Sequence, residues 1–183
     1  IHFLMGFEGI DFHHDDYYSL LVYSSLLGGG MSSRLFQEIR EKRGLVYGIS
    51  SFSSSYSDTG VFGIYAGTGE NQIKELIPVL CDELKKSPDN ISEKEIMRGK
   101  AQLKASLMMA RESAFRRCES AARQLLVFNR VIETSETIKL IDSVSKESVS
   151  KIANKIIESP ITISSIGPIK NLETIDKIQN RLN

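Results

Sequence analysis

Residues 28–47 read GGGMSSRLFQEIREKRGLVY, and this stretch decides the interpretation of the fold. Three glycines are typical of a helix end followed by a tight turn, and Ser32 or Ser33 is expected to cap a second helix. Gly44 is expected to end that second helix, and a strand that carries Tyr47 follows it. The apolar stripe of the second helix consists of Leu35, Phe36 and Ile39.

Sequence patterns on either side of this stretch predict one sheet and several helices. Apolar residues alternate over residues 2–9, which predicts a first strand. Residues 45–56 and 61–67 are expected to form a hairpin, because residues 57–60 read SDTG. Helical spacing then continues to a last strand at residues 161–166. We therefore predict an α+β fold of two layers, in which helices cover one face of a mostly antiparallel sheet.

Composition limits the class of protein and its partners. The chain has 183 residues, of which 41% are apolar, and these suffice for the core of a single domain over residues 1–183. Lys and Arg together number 23, as do Asp and Glu, so no overall field favours nucleic acid or an anionic membrane. No apolar run is long enough to span a bilayer. Because the first residue is Ile1, we expect the chain to be truncated from a longer parent.

Candidate metal ligands are few and poorly spaced. Residues 13–16 read HHDD, but neighbouring side chains at a helix start point in different directions and rarely close one tetrahedral site. We interpret Asp15 and Asp16 as residues that cap and start a helix, and we predict no metal site in this chain. Cys81 and Cys118 are too few for a disulfide framework, and both are expected to be buried thiols on apolar helix faces.

A phosphate-binding loop is the alternative interpretation of the triple glycine. It precedes a helix N-terminus, where backbone N–H groups hold anions in other proteins. However, it follows a predicted helix rather than a strand, and it matches neither the dinucleotide motif nor the P-loop. A helix end and a tight turn therefore explain the glycines better.

Arg40 and Tyr47 are the remaining candidates for chemistry. Arg40 lies near the end of its predicted helix, and Tyr47 is the third residue after Gly44, so a tight turn would bring both side chains to one rim of the sheet. Two interpretations remain open from the residues alone. Either Arg40 complements the helix C-terminus and Tyr47 packs with its hydroxyl satisfied, or the two form a functional pair.

The stretch from Gly28 to Tyr47 resembles the second-half, C-terminal domain of the pitrilysin/insulinase family of zinc metallopeptidases, in the processing-peptidase branch. In that family an Arg precedes a Tyr by seven residues at this point, as Arg40 precedes Tyr47 here. The resemblance extends from Met5 through Gly67 and fades through the later helices. It implies that Tyr47 lies near the scissile carbonyl and that Arg40 holds the substrate backbone.

The resemblance also implies that this chain is half of an enzyme. The zinc would be a cofactor of the parent's missing N-terminal domain, since no H-x-x-E-H motif is present here. The expected parent is a zinc endopeptidase, and this fragment alone would be inactive. Expected partners are the N-terminal zinc-binding domain, an extended peptide substrate and a second subunit in a homodimer or heterodimer. The alternative is a non-catalytic partner or scaffold subunit. We expect a cytoplasmic location, with the periplasm as the alternative.

Overall fold

The computed structural model describes residues 1–183, and its elements follow the predicted order. The strands are β1 (His2–Glu8), β2 (Val46–Ser55), β3 (Gly60–Thr68) and β4 (Thr162–Ile166). The helices are α1 (Tyr17–Gly28), α2 (Ile73–Asn90), α3 (Glu93–Glu112), α4 (Ala114–Phe128), α5 (Thr134–Ser143), α6 (Lys146–Ile157) and α7 (Ile175–Leu182). A π-helical segment spans Phe36–Glu41, and a short 3₁₀ turn spans Ile169–Asn171. None of the helices combines the length and apolar character that crossing a membrane requires.

The four strands form one antiparallel sheet in the order β2-β3-β1-β4. Side chains alternate between two faces along each strand. The inner face is buried under helices and includes Phe3, Met5, Phe62 and Ile64. We call the other face the open face, because no helix covers it. This arrangement confirms the predicted two-layer α+β fold with a mostly antiparallel sheet.

Helix α1 is buried along most of its length and packs directly on the sheet. Its last residue, Gly28, touches β2 so closely that a Cβ atom there would lie 2.3 Å from the backbone nitrogen of Ser51. Gly29 caps the helix through its N–H, which donates to the carbonyl of Ser25 at 3.0 Å. The triple glycine therefore ends a helix and permits close packing of helix on strand.

Three local expectations were wrong. Cys118 is exposed on α4, whereas Cys81 is buried as predicted. Neither Ser32 nor Ser33 caps the following helical segment through its side chain, and the Oγ atom of Ser33 is buried without a hydrogen-bond partner. Asp16 precedes α1, but its carboxylate makes no capping hydrogen bond and instead accepts from Nζ of Lys151 at 2.9 Å.

The exposure of Cys118 follows from the orientation of α4. This helix has no buried residue, although it is strongly amphipathic. Its apolar stripe points outward, and Phe115 and Leu126 are 75% and 87% exposed. We call the following set the α4 stripe: Phe115, Cys118, Ala122, Leu125 and Leu126. Helical spacing identified the apolar face correctly, but it cannot show whether a neighbouring element of the same domain covers that face.

Candidate active-site surface

The backbone around Arg40 is set by a widened helical turn and a left-handed glycine. In the π-helical segment, the N–H of Lys42 donates to the carbonyl of Gln37, five residues earlier, at 3.1 Å. Gly44 then adopts φ +63°, a conformation that glycine reaches without steric cost. This turn reverses the chain within a few residues. It places the start of β2 directly beside the segment that carries Arg40.

The Arg40 side chain is held at three points. Its Nε donates to the backbone carbonyl oxygen of Tyr47 at 3.0 Å, and its Nη1 pairs with the Glu41 carboxylate at 2.8 Å. The guanidinium carbon lies 4.7 Å above the centre of the Phe36 ring, which is a cation–π contact. The remaining nitrogen, Nη2, has no partner within the chain and is free to donate to a ligand.

Tyr47 lies at an irregularity in the sheet. Val46 pairs with Thr68 and Gly48 pairs with Gly67, so Tyr47 is the extra residue of a β-bulge. A bulge redirects a side chain without interrupting the sheet. The Tyr47 side chain is 84% exposed, and its hydroxyl makes no hydrogen bond within the chain. The phenol therefore stands free at the edge of the open face, next to Arg40.

The structure thus brings the two sequence-predicted residues together. The guanidinium of Arg40 fixes the backbone of Tyr47, and each residue keeps one free donor, Nη2 and the hydroxyl respectively. Two such donors suit a peptide carbonyl or the negative charge that develops on it during hydrolysis. Sequence reasoning missed Phe36, although its spacing of four residues before Arg40 is the usual signal for a contact on one helix face.

A second arginine anchors the helical segment that carries Arg40. Arg34 makes a bidentate pair with Glu95 on α3, at 2.5 Å from Nε and 2.8 Å from Nη2, and it also donates to the Asn90 carbonyl. Burial alone raises the pKa of Glu95, but hydrogen bonds from Arg34 and Ser92 outweigh burial and lower the pKa to about 2. Glu95 also closes a capping box with Ser92, which the spacing of a Ser followed three residues later by a Glu predicts from the sequence.

We expect Arg34→Met to destabilise the folded chain by about 3 kcal/mol, because it leaves Glu95 half-buried without its cation. The lowered pKa of Glu95 also makes stability depend on pH. The stability that ionised Glu95 adds to the folded chain is complete above the unfolded-state pKa of about 4.5, and it is lost as the pH falls towards about 2. Urea unfolding across this pH range measures both effects.

In the Arg34→Met variant the acid-dependent loss of stability should shrink, since the partner that lowers the pKa is gone. Arg111→Met is the matched control, because Arg111 is an exposed arginine near the end of α3. Equal stability of the Arg34 and Arg111 variants at neutral pH would contradict the anchoring role.

The sequence-predicted ligand candidates do not form a metal site. His14 Nδ1 accepts from the backbone N–H of Asp16 at 3.0 Å, and His13 packs against the Phe128 ring. No group of three or more His, Cys, Asp or Glu side chains is arranged to hold an ion. The side chains of this domain therefore do not fit a zinc ion.

Comparison with known proteins identifies the family of the chain. Residues 1–103 match the family model described as the Peptidase M16 inactive domain. A Rickettsia felis protein named "Uncharacterized zinc protease" is 37% identical over 90% of this chain and 40% of its own length. The mitochondrial-processing peptidase subunit beta of Neurospora crassa is 34% identical over 90% of this chain and 37% of its own length.

Solved structures show the same fold. A chain of complex III from Candida albicans superposes with a TM-score of 0.88, at 22% identity, over 99% of this chain and 46% of that one. This chain spans about two fifths of the length of the curated relatives. Both the family model and the relatives therefore show that the chain belongs to the M16 peptidase family, within its inactive C-terminal domain.

Proposed function

We propose that this chain is the C-terminal domain of a zinc-dependent endopeptidase of the processing-peptidase type. In this proposal Tyr47 donates its hydroxyl to the scissile carbonyl, and Arg40 holds the substrate backbone. The observation that carries the proposal is the pairing of the two residues. The Arg40 guanidinium fixes the backbone of Tyr47, and both side chains keep a free donor at the edge of the open face.

The chemistry of peptide hydrolysis accounts for these two residue types. Negative charge develops on the carbonyl oxygen during attack, and a donor that is already in place stabilises that charge. A guanidinium offers several N–H groups in a fixed plane, which suits the carbonyl groups of an extended peptide. The contacts of Arg40 hold its guanidinium in position before a substrate arrives, and the bulge leaves the Tyr47 phenol exposed beside it.

The zinc ion would belong to another part of the parent protein. Since the side chains of this domain do not fit the ion, we propose that the N-terminal domain of the parent holds it. The zinc-protease names of the relatives support this placement.

We expect residues 1–183 alone to bind no stoichiometric zinc and to cleave no peptide, whereas the full-length parent should lose its peptidase activity in a chelator. Metal analysis of the purified domain and a peptide-cleavage assay of the parent, with and without chelator, measure both. About one tightly held zinc per domain, or parent activity that resists the chelator, would contradict the proposal.

Further contacts are proposed for the α4 stripe. An amphipathic helix with an outward apolar face usually meets a partner, because large exposed apolar patches are uncommon on monomers. We propose that the N-terminal zinc-binding domain or the second subunit of a homodimer or heterodimer covers it.

An extended peptide is the proposed substrate of the parent protein. We place the parent in the cytoplasm, with the periplasm as the alternative, and cell fractionation distinguishes the two.

The second candidate function is a non-catalytic partner or scaffold subunit. The likeness to a chain of complex III favours it, because the same fold occurs there in a chain of a larger complex. The two candidate functions predict different sequences in the part of the parent protein that would precede this domain. An H-x-x-E-H motif in the parent would support the peptidase, and its absence would support the scaffold.

A further inference from the structure

The open face continues beyond Tyr47 as a row of small residues. Gly48 on β2 pairs with Gly67 on β3, and Gly67 pairs with His2 on β1. At least one sequence neighbour of each residue in this row is buried on the inner face, for example Ile49 and Phe3, so the row faces outward. The exposed Tyr47 directly precedes one end of this row, and His2 forms the other end.

The space above this row is open over Gly48 and covered by a side chain over Gly67. A Cβ atom at Gly48 would meet nothing within 4 Å, whereas a Cβ atom at Gly67 would lie 3.4 Å from the hydroxyl of Tyr65. The Tyr65 phenol therefore leans over Gly67. The surface over Gly48, beside the Tyr65 phenol, therefore stays open. We call this open surface over Gly48, bordered by Tyr65 and His2, the Gly48 slot.

His2 and Tyr65 form the far wall of the Gly48 slot. Nδ1 of His2 lies 2.7 Å from the Tyr65 hydroxyl, and the two ring centres are 5.9 Å apart. If the phenol donates to Nδ1, the imidazole keeps Nε2–H as a free donor. If Nδ1–H donates to the phenol, the hydroxyl proton is free instead. In either tautomer the pair offers a donor to a ligand.

The charges around the slot favour a negative ligand. The outward residues at this end of the sheet include no acid, and the Arg40 guanidinium lies beside Tyr47. The carboxylate of Glu41 is already paired with Arg40. Glu8 is the only acidic residue of the four strands, and it lies six residues along β1 from His2, or roughly 20 Å away.

We propose that the Gly48 slot is a specificity subsite that accepts an acidic side chain of the peptide substrate, bound by the His2–Tyr65 pair. This inference rests on the proposed function, because it takes the substrate to lie against Tyr47 and Arg40. A carboxylate accepts hydrogen bonds from phenol and imidazole donors and is attracted by the nearby guanidinium. A substrate Lys or Arg at the same position would be repelled by Arg40.

The test uses the full-length enzyme and a set of peptides in which each residue near the cleaved bond is in turn Asp, Ala or Lys. The variants are Tyr65→Phe, His2→Phe and Gly48→Leu. The side chain that Gly48→Leu introduces should fill the slot at little cost to folding, since a Cβ atom at this position meets open space. His13→Phe is the matched control, because His13 is exposed and packs on Phe128, away from the open face.

We expect one peptide position at which Asp is preferred over Ala in kcat/KM. Tyr65→Phe and His2→Phe should each reduce that preference about tenfold, since one hydrogen bond to a charged group is removed. Gly48→Leu should abolish it, and His13→Phe should leave it unchanged. An enzyme with no Asp preference, or one whose preference survives in all three variants, would overturn the subsite.

Arg40→Ala and Tyr47→Phe, measured with the same peptides, separate the two proposals. If these variants lower the cleavage of every peptide while the slot variants change no preference, the subsite alone is wrong. If they leave the cleavage of every peptide unchanged, the proposed function itself is wrong.

Discussion

Tyr47→Phe in the full-length enzyme should lower kcat about a hundredfold and change KM little. Removal of one donor to a developing oxyanion costs roughly 10²–10³ in rate. We expect the lower end, because the phenol is 84% exposed and water weakens its interaction with charge. Steady-state kinetics with a peptide substrate measure the effect. The melting temperature should stay the same, since the hydroxyl has no partner within the chain to lose.

Tyr56→Phe is the matched control for this prediction. Tyr56 follows the last residue of β2, at the opposite end of the strand from Tyr47, and it is also exposed. Removal of the Tyr56 hydroxyl should leave both kcat and the melting temperature unchanged. If the two variants have equal activity, or if activity falls only in step with the melting temperature, then Tyr47 is an ordinary surface residue.

Arg40→Ala should lower kcat and raise KM, with a combined loss of at least about a hundredfold in kcat/KM. Hydrogen bonds from a charged group contribute about 1.5–3 kcal/mol each, and backbone contacts hold the ground state and the transition state alike. The variant also frees the Tyr47 carbonyl that Arg40 now binds. Arg40→Lys should restore little activity, because an ammonium reproduces neither the planar donors nor the stacking on Phe36.

A double-mutant cycle tests whether Arg40 acts partly by positioning Tyr47. The loss in Arg40→Ala/Tyr47→Phe should be smaller than the product of the two single losses, because the contact joins the two residues. Arg43→Ala serves as the control. Its guanidinium pairs with Glu38 instead of β2, and its loss should leave kcat/KM nearly unchanged. Fully independent effects of Arg40 and Tyr47 would contradict the positioning role.

The sequence predicted most of the fold because its signals there are local. The SDTG turn fixed the hairpin, Ser92 and Glu95 formed the expected capping box, and alternating apolar residues identified the buried face of the sheet. The orientation of α4 was not predictable, since the spacing of apolar residues shows that a face exists but not what covers it. For that reason the prediction that Cys118 is buried was wrong.

The sequence predicted which two residues form the candidate site, but it did not predict how they are arranged in space. The spacing of Arg40 and Tyr47 indicated one rim of the sheet. However, the bulge at Tyr47 depends on pairing with β3, and this pairing is not local in the sequence. The wall formed by His2 and Tyr65 joins residues that lie 63 positions apart. Only the register of the strands brings these groups together.

The bulge has a consequence for how this fold diversifies. Tyr47 lies outside the regular ladder and contributes almost nothing to the core, so its side chain can change with little loss of folding free energy. Gly28 is the opposite case, because any side chain there collides with β2. Under the proposed function, one substitution at Tyr47 in a duplicated gene would weaken catalysis and still yield an intact domain. A catalytic and a non-catalytic copy of this domain would then differ first at an exposed bulge residue, while the core stays the same.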